Sequence, residues 1–248
     1  RRFARQGAHL VLVDIDGDNL ERAADEIRSQ GYTVDTFVRD LSSRETIRRL
    51  REEVVEHVGR VDILVNNAGI VQGGPLDEIT DEADELTLKV NIEAVHWMTK
   101  AFLSDLKQSR DGHIVQMASA AGLIGIPYQV VYSASKWFVL GHAEALRQEL
   151  RHDGADELGL TVVCPSLVDT GMFDGSDPPM LAPILEPEYM ADQIIEAVQH
   201  ERRTIQEPSM VKLIPYLTTL LPAEIIDFLL DTLGASSLMH GWKGREDD

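Results

Sequence analysis

Residues 113–136 read HIVQMASAAGLIGIPYQVVYSASK, a stretch that decides the fold. Its beginning has the apolar, β-branched character of a buried strand, and its end opens a helix predicted from about Tyr128 to His152. Tyr132 and Lys136 are four positions apart, so a helix places them on one face. Ser119 follows the strand, at the end where ligands bind in parallel sheets. The stretch therefore predicts a strand–helix unit with a candidate site between its two elements.

The rest of the chain repeats this alternation of short β-branched runs and longer amphipathic segments. Such spacing indicates right-handed crossovers, so the predicted fold class is α/β, a doubly wound parallel sheet in three layers. No linker or repeat divides residues 1–248, which predicts one domain with a core to about residue 170 and a proline-rich lid and terminal helices beyond it. Strands are predicted at residues 9–14, 33–38, 61–66, 113–118 and 160–164. Helices are predicted at about residues 18–30, 81–109 and 128–152. A further helix is predicted to end at His57, with Ser42 and Ser43 as candidate caps at its start.

Composition argues against several classes of function. The chain has 42 acidic and 23 basic residues and a net charge of −19, so phosphates of nucleic acid or of an anionic membrane would be repelled. The single cysteine, Cys164, excludes a disulfide framework and is expected in the core. The histidines have no metal-ligand spacing, so no metal is expected. No apolar run is long enough to cross a bilayer, and the expected location is cytoplasmic.

Tyr132, Lys136 and Ser119 suit proton transfer to or from a substrate oxygen. A phenol with a pKa near 10 is a poor base at neutral pH. An adjacent ammonium stabilises the phenolate and brings that pKa towards the working range. The serine can hydrogen-bond the same substrate oxygen, so the set is suited to a hydride-transfer reaction. A YxxxK pair alone arises often by chance and carries little weight by itself.

Further motifs accompany this pair: N-N-A-G at 66–69, Asn91 in the long predicted helix, and P-S-L-V-D-T at 165–170. In this order and spacing the set resembles the short-chain dehydrogenase/reductase family, over the chain to about Thr170. The resemblance implies a Rossmann-type sheet, a nicotinamide cofactor and a catalytic tetrad of Asn91, Ser119, Tyr132 and Lys136. It also implies that Lys136 holds the nicotinamide ribose and that Asn91 supports a chain of water molecules.

The chain departs from the family pattern at its beginning. The family opens with a strand and a glycine-rich turn that holds the pyrophosphate at a helix start. Residues 1–7 (RRFARQG) instead resemble the end of the helix after that turn, so we expect the family's first strand to be missing or truncated. Ala118 stands where the family often has serine, and Ser166 where glycine is usual. Neither change removes a reacting group.

Asp14 ends the predicted strand at which the family's carboxylate binds the adenosine ribose. A carboxylate there repels a 2′-phosphate, and no basic residue occupies positions 14–20. This favours NAD(H) over NADP(H). The alternative is that Asp14 and Asp16 only begin a turn and cap the next helix.

Four further positions are assigned by the resemblance. Asp40 and Leu41 would flank the adenine ring, although Asp40 could instead cap the next helix. Asn67 would line the cofactor, whereas Asn66 is equally suited to tying strands together. Thr170 would reach the nicotinamide carboxamide, or it could begin a lid helix.

The apolar residues 212–234 (KLIPYLTTLLPAEIIDFLLDTLG) and the closing M-H-G-W-K-G-R are similar to the branch with retinol and 17-beta-hydroxysteroid dehydrogenases. Two amphipathic helices joined at Pro222 could cover a hydrophobic cleft, join a subunit interface, rest on a membrane surface or add to the core. The net charge disfavours the membrane. A homodimer or homotetramer is expected.

The expected function is hydride transfer between NAD(H) and a secondary or allylic alcohol or ketone with an apolar body. Within the enzyme class, the alternative is an NADP(H)-dependent carbonyl or 3-oxoacyl reductase. A catalytically silent dinucleotide-binding or scaffold protein is the alternative from another class. The intact tetrad argues against a protein without catalytic activity, whereas the absent glycine-rich turn favours one.

Overall fold

Parallel sheets carry helices on both faces in a computed structural model that describes residues 1–180 and 182–244. All neighbouring strands in the described residues pair in parallel, which confirms the predicted α/β class. The strands are β1 (Leu10–Asp14), β2 (Val34–Val38), β3 (Ile63–Asn66), β4 (His113–Met117), β5 (Gly159–Pro165) and β6 (Thr204–Glu207). The α-helices are α1 (Arg2–Arg5), α2 (Gly17–Arg28), α3 (Arg44–His57), α4 (Asp81–Leu88), α5 (Ala94–Gln108), α6 (Val130–His152), α7 (Pro187–Gln199), α8 (Ile214–Leu220) and α9 (Ala223–Leu233).

The strands form two hydrogen-bonded groups. Strand β1 pairs with β2, and β3, β4, β5 and β6 follow one another in that order. Both groups contribute to one core, because Val11 and Val13 of β1 pack against the apolar cluster that contains Leu64 of β3 and Ile114 of β4. Since β3 to β6 are parallel, their carboxyl ends lie together at one edge, where the candidate site forms.

Short polar side chains begin the helices that follow the first strands. Asp16 precedes α2 and accepts a hydrogen bond from the Asn19 N–H at 3.0 Å. Ser43 precedes α3 and accepts from the Thr46 N–H at 3.3 Å. Of the two predicted serine caps, Ser43 is therefore the one used. These caps satisfy N–H groups that have no partner within the helix.

The long helix predicted at residues 81–109 is interrupted. A π-helical turn at Lys89–Glu93 separates α4 from α5 and contains Asn91. A π-turn inserts an extra residue into the helix and changes the direction of the side chains within it. The interruption thus faces Asn91 towards the protein interior, where its side chain is completely buried.

The region after residue 170 contains elements that local patterns did not predict, namely α7 and β6. Pro222, the predicted junction of two helices, precedes α9, and Pro215 lies in the first turn of α8. Both positions tolerate proline because the first turn of a helix has free N–H groups. Among the described helices, none combines the length and the apolar character that a bilayer crossing requires.

Candidate active site

Strand β4 and helix α6 bring three predicted catalytic residues together. Ser119 follows β4, accepts a hydrogen bond from the Ala121 N–H at 3.2 Å, and is hydrogen-bonded to the side chain of Tyr132. The ammonium of Lys136 lies 5.5 Å from the centre of the Tyr132 ring. A strand end and one helix face thus place a hydroxyl, a phenol and an ammonium around one point.

The phenol of Tyr132 is enclosed by apolar neighbours, including Phe173, whose ring centre is 6.0 Å away in an edge-on arrangement. Burial raises the pKa of Tyr132 to about 12, and the hydrogen bond with Ser119 acts in the opposite direction. The expectation that Lys136 brings this pKa towards neutrality is therefore wrong for this structure, because loss of hydration outweighs the other effects. At neutral pH the phenol is protonated and can act as a proton donor.

The ammonium of Lys136 is buried beneath the strand ends. It donates a hydrogen bond to the Met117 carbonyl oxygen at 3.0 Å. Burial lowers the pKa of Lys136 to about 8. Cys164 lies in the core, as predicted. A lysine ammonium has three donors, so this side chain retains donors for a ligand.

Asn91 joins the loop after β3 to helix α6. Its Oδ1 accepts from the Ile70 N–H at 2.9 Å, and its Nδ2 donates to the Ile70 carbonyl at 2.8 Å and to Ser135 Oγ at 3.1 Å. Both amide protons are therefore used within the protein, and only the oxygen keeps capacity for a water molecule. In this structure Asn91 is a positioning residue.

The N-N-A-G loop passes directly over the site. A Cβ on Gly69 would lie 3.4 Å from both Asn91 Oδ1 and Lys136 Nζ. A side chain at this position would therefore touch both polar groups of the site. Asn66 is buried and donates to Thr99 Oγ1 at 2.9 Å, which ties β3 to α5 rather than to another strand. Asn67 is exposed and free to meet a ligand. The backbone at Gly69 can therefore be approached closely, as an elongated cofactor requires.

An apolar cavity of about 170 Å³ adjoins Ser119. Helices α8 and α9 form much of its wall. None of their residues is fully buried, so the alternative that these helices only add to the core is wrong. Apolar side chains dominate the lining, among them Phe173, Leu213, Leu217, Leu229 and Leu233.

The family follows from a comparison of the whole sequence. The family model described as short chain dehydrogenase matches residues 1–180. The chain belongs to the short-chain dehydrogenase family. It is an oxidoreductase that transfers a hydride between a nicotinamide dinucleotide and an alcohol or ketone.

Known relatives place this short-chain dehydrogenase near the retinol and 17-beta-hydroxysteroid dehydrogenase branch, as predicted. Epidermal retinol dehydrogenase 2 of Mus musculus is 37% identical over 253 residues, which cover 99% of this chain and 80% of that protein. A short-chain dehydrogenase/reductase of Burkholderia phymatum, solved with NAD, has 28% identity and a TM-score of 0.75 and covers 92% of this chain and 89% of its own. An alcohol dehydrogenase of Thermococcus sibiricus, solved with 5-hydroxy-NADP, has 27% identity and a TM-score of 0.72 and covers 82% and 87%.

Asp14 lies exposed at the carboxyl end of β1 of this short-chain dehydrogenase. One carboxylate oxygen accepts from the Asp16 N–H at 3.0 Å, and Asp16 is the residue that caps α2. The alternative that Asp14 and Asp16 begin a turn and cap the helix is therefore confirmed, with Asp14 in the turn and Asp16 as the cap. Its second oxygen is available to a ribose hydroxyl.

The other predicted cofactor residues lie at the same strand ends or loops. Asp40 accepts from the N–H and the hydroxyl of Ser42, both at 2.8 Å. Ser43 caps α3, so the alternative that Asp40 caps this helix is wrong. Leu41 is partly buried against the core. Thr170 is exposed, and the next helix in the described residues, α7, begins only at Pro187, so Thr170 does not begin a lid helix.

The C-terminal segment 238–244 returns to the site, which local sequence patterns did not predict. The indole N–H of Trp242 donates to the Met172 carbonyl at 3.1 Å, and the ring packs in the cluster that contains Tyr132. Met239 contacts the amide of Gln129 in the cavity wall. The only sequence signal for this segment was its likeness to the family branch. Within the described residues, no group of three or more metal-binding side chains occurs.

Proposed function

We propose that this short-chain dehydrogenase oxidises secondary or allylic alcohols with an apolar body, reduces the matching ketones, and uses NAD(H). The observation that carries the proposal is the apolar cavity beside Ser119, because it offers hydrophobic burial to the substrate next to a proton donor. The name of the retinol dehydrogenase relative, whose substrate is an apolar allylic alcohol, supports the same class.

The residues present fit a nicotinamide dinucleotide. Lys136 has donors left for the ribose beside the nicotinamide, the backbone at Gly69 allows close approach, and Asn67 is exposed beside it. When bound, this group accepts or supplies the hydride. Asp14 supports NAD(H), because its carboxylate attracts ribose hydroxyls and repels a 2′-phosphate.

The protein's own residues manage the proton. In ketone reduction the neutral phenol of Tyr132 donates its proton to the substrate oxygen, and Ser119 hydrogen-bonds the same oxygen. The ammonium of Lys136, 5.5 Å from the centre of the Tyr132 ring, then stabilises the phenolate. A protonated tyrosine with a raised pKa suits reduction at neutral pH, whereas alcohol oxidation requires the phenolate and is favoured by higher pH.

Replacing the proton donor tests this function. In Tyr132→Phe, reduction of 2-octanone by NADH should fall at least a thousandfold, while NAD affinity measured by calorimetry changes only a few-fold. The exposed Tyr216→Phe is the matched control and should keep the wild-type rate. Normal turnover by Tyr132→Phe, or none by the wild-type protein, would contradict the proposal.

We also infer a homodimer or homotetramer located in the cytoplasm. Exposed large apolar side chains support self-association, since burial against a partner removes apolar surface from water. They include Trp137, Tyr216, Leu220 and Phe228. Light scattering after size-exclusion chromatography tests the assembly, where a monomer at micromolar concentration would contradict it. Cell fractionation tests the location.

A further inference from the structure

The side chain of Gln129 is an amide in a mostly apolar wall. The residue lies just before α6, three positions before Tyr132, and is 1% exposed. It lines the same cavity as Ser119. Another polar residue of the wall, Thr218, donates its hydroxyl proton to the Ile214 carbonyl at 2.9 Å and is thereby satisfied within α8.

The hydrogen-bonding capacity of Gln129 is largely unused. Its Nε2 donates to the sulfur of Met239 at 2.8 Å, and a thioether is a weak acceptor. Within the described part of the chain, the amide makes no other side-chain hydrogen bond, although it offers a second N–H and a carbonyl oxygen. The carbonyl oxygen can accept from a hydroxyl, and the free N–H can donate to one.

Burying an amide in apolar surroundings costs free energy when the amide lacks strong hydrogen-bond partners. A ligand that forms a hydrogen bond with the amide offsets this cost. The cavity is also small. Ser119 and Gln129 both line this cavity of about 170 Å³, so a ligand that fills it contacts both side chains. A substrate whose reacting carbonyl meets Ser119 and Tyr132 thus has its far part beside the amide.

We propose that Gln129 is a specificity-determining residue that binds a second oxygen of the substrate, remote from the reacting carbonyl. The preferred substrates are then apolar ketones and alcohols that carry a further hydroxyl group. This assignment rests on the proposed function, because it uses the same cavity and the same reaction. It adds a polar requirement to a site whose other contacts with the substrate body are apolar.

The test compares 2-octanone with 5-, 6- and 7-hydroxy-2-octanone, in which the second oxygen moves along the same carbon chain. In the wild-type enzyme, kcat/KM for at least one hydroxy ketone should exceed that for 2-octanone by about tenfold, the effect of one good neutral hydrogen bond. Gln129→Met keeps an unbranched side chain of similar length without the amide, and should reduce this ratio to about one. Met239→Leu removes the sulfur acceptor and should keep the ratio.

Three outcomes would overturn the assignment. The first is a ratio near one for all three hydroxy ketones in the wild-type enzyme, and the second is an unchanged ratio in Gln129→Met. The third is an equal loss in Gln129→Met and Met239→Leu, which would mean that Gln129 serves only to hold the segment around Met239. Failure of the wild-type enzyme to reduce any of the four ketones is a different result, since it contradicts the proposed function itself and the assignment with it.

Discussion

The backbone of Gly122 lies directly against the carbonyl group of Lys136, so that a Cβ on Gly122 would be 2.7 Å from that oxygen. Gly122 ends the short 3₁₀ turn Ala120–Gly122, which follows Ser119. The carbonyl belongs to the backbone of α6 and cannot rotate away as a side chain would. This contact therefore sets the separation between the serine and the helix that carries Tyr132.

Gly122→Ala should move the serine turn away from α6. We expect it to lower the free energy of unfolding by about 1–3 kcal/mol, typical of overpacking, and to lower kcat for ketone reduction at least tenfold. Gly125→Ala is the matched control, since its Cβ would meet nothing within 4 Å. Denaturant unfolding and steady-state kinetics give both values, and wild-type kinetics in Gly122→Ala would show that the contact does not position Ser119.

Lys136→Met should stabilise the fold at neutral pH although it removes activity. The pKa of Lys136 is about 8 in the folded protein against 10.5 ordinarily, so the unfolded chain binds more protons between these values. The free energy of unfolding therefore rises by up to about 3 kcal/mol as the pH increases from 8 to 10.5. This gain is lost as the pH falls back towards 8. Lys136→Met should be the more stable protein at pH 7, with a smaller difference at pH 10.

Denaturant unfolding at several pH values measures this difference. Lys89→Met is the control, because that ammonium is exposed and pairs with Glu85 at 3.2 Å. A Lys136→Met variant less stable than the wild-type protein at pH 7 would contradict this prediction. It would mean that hydrogen bonds and charges around the ammonium offset the cost of its burial.

His113 should contribute to acid unfolding. Its Nε2 lies 2.8 Å from Thr161 Oγ1, and because that hydroxyl donates to the Arg202 carbonyl, the imidazole must be the donor. Burial lowers the pKa of His113 to about 4 from 6.5, so the unfolded chain binds the extra proton more readily between these values. Stability is fully present above pH 6.5 and is lost as pH falls towards 4, by up to about 3 kcal/mol.

The variant His113→Gln keeps an N–H donor and does not titrate. Its free energy of unfolding should therefore fall less than that of the wild-type protein between pH 6.5 and 4. His152→Gln, at a side chain that is 90% exposed, should behave like the wild type. Parallel pH curves for His113→Gln and the wild type would assign the acid sensitivity to other groups.

Cofactor choice should depend on the charge of Asp14. Charge-assisted hydrogen bonds to ribose hydroxyls contribute about 1.5–3 kcal/mol each, and a 2′-phosphate would meet like charge, so kcat/KM should favour NADH over NADPH by about 100-fold. Asp14→Asn can keep the hydrogen bond to the Asp16 N–H, and should reduce the preference mainly through weaker use of NADH. Asp156→Asn, before the amino end of β5, is the control of equal charge. Equal use of both cofactors by the wild-type enzyme would mean that Asp14 only forms the turn before α2 and does not select the cofactor.

Local patterns predict the elements that form the centre of the sheet. The bounds of β4 and α6 agree with the prediction to within two residues, because a buried β-branched run and a 3.6-residue period are local signals. Strand β6 has no such signal: its sequence TIQE contains a single apolar residue, and it becomes a strand by pairing with residues 162–165 of β5. Its identity thus depends on tertiary contact rather than propensity.

The candidate site divides in the same way. Motif spacing predicts that Ser119, Tyr132 and Lys136 come together, but it does not predict their pKa values, because these depend on how completely the fold removes water. For that reason the predicted lowering of the Tyr132 pKa is wrong, since burial raises this pKa. Gln129 escaped attention because its role in the wall depends on Met239, which is 110 positions further along the chain.

The return of residues 238–244 to the site also has a temporal consequence. During synthesis, β4, β5 and α6 are complete long before Met239 and Trp242 leave the ribosome. Until then the apolar faces around Tyr132 and Gln129 have no cover from this segment, and they are available to any other apolar surface they meet. Closure of the site thus waits for residues 238–244, and until they arrive the nascent chain is a folding intermediate with exposed apolar surface, a state that is prone to aggregation.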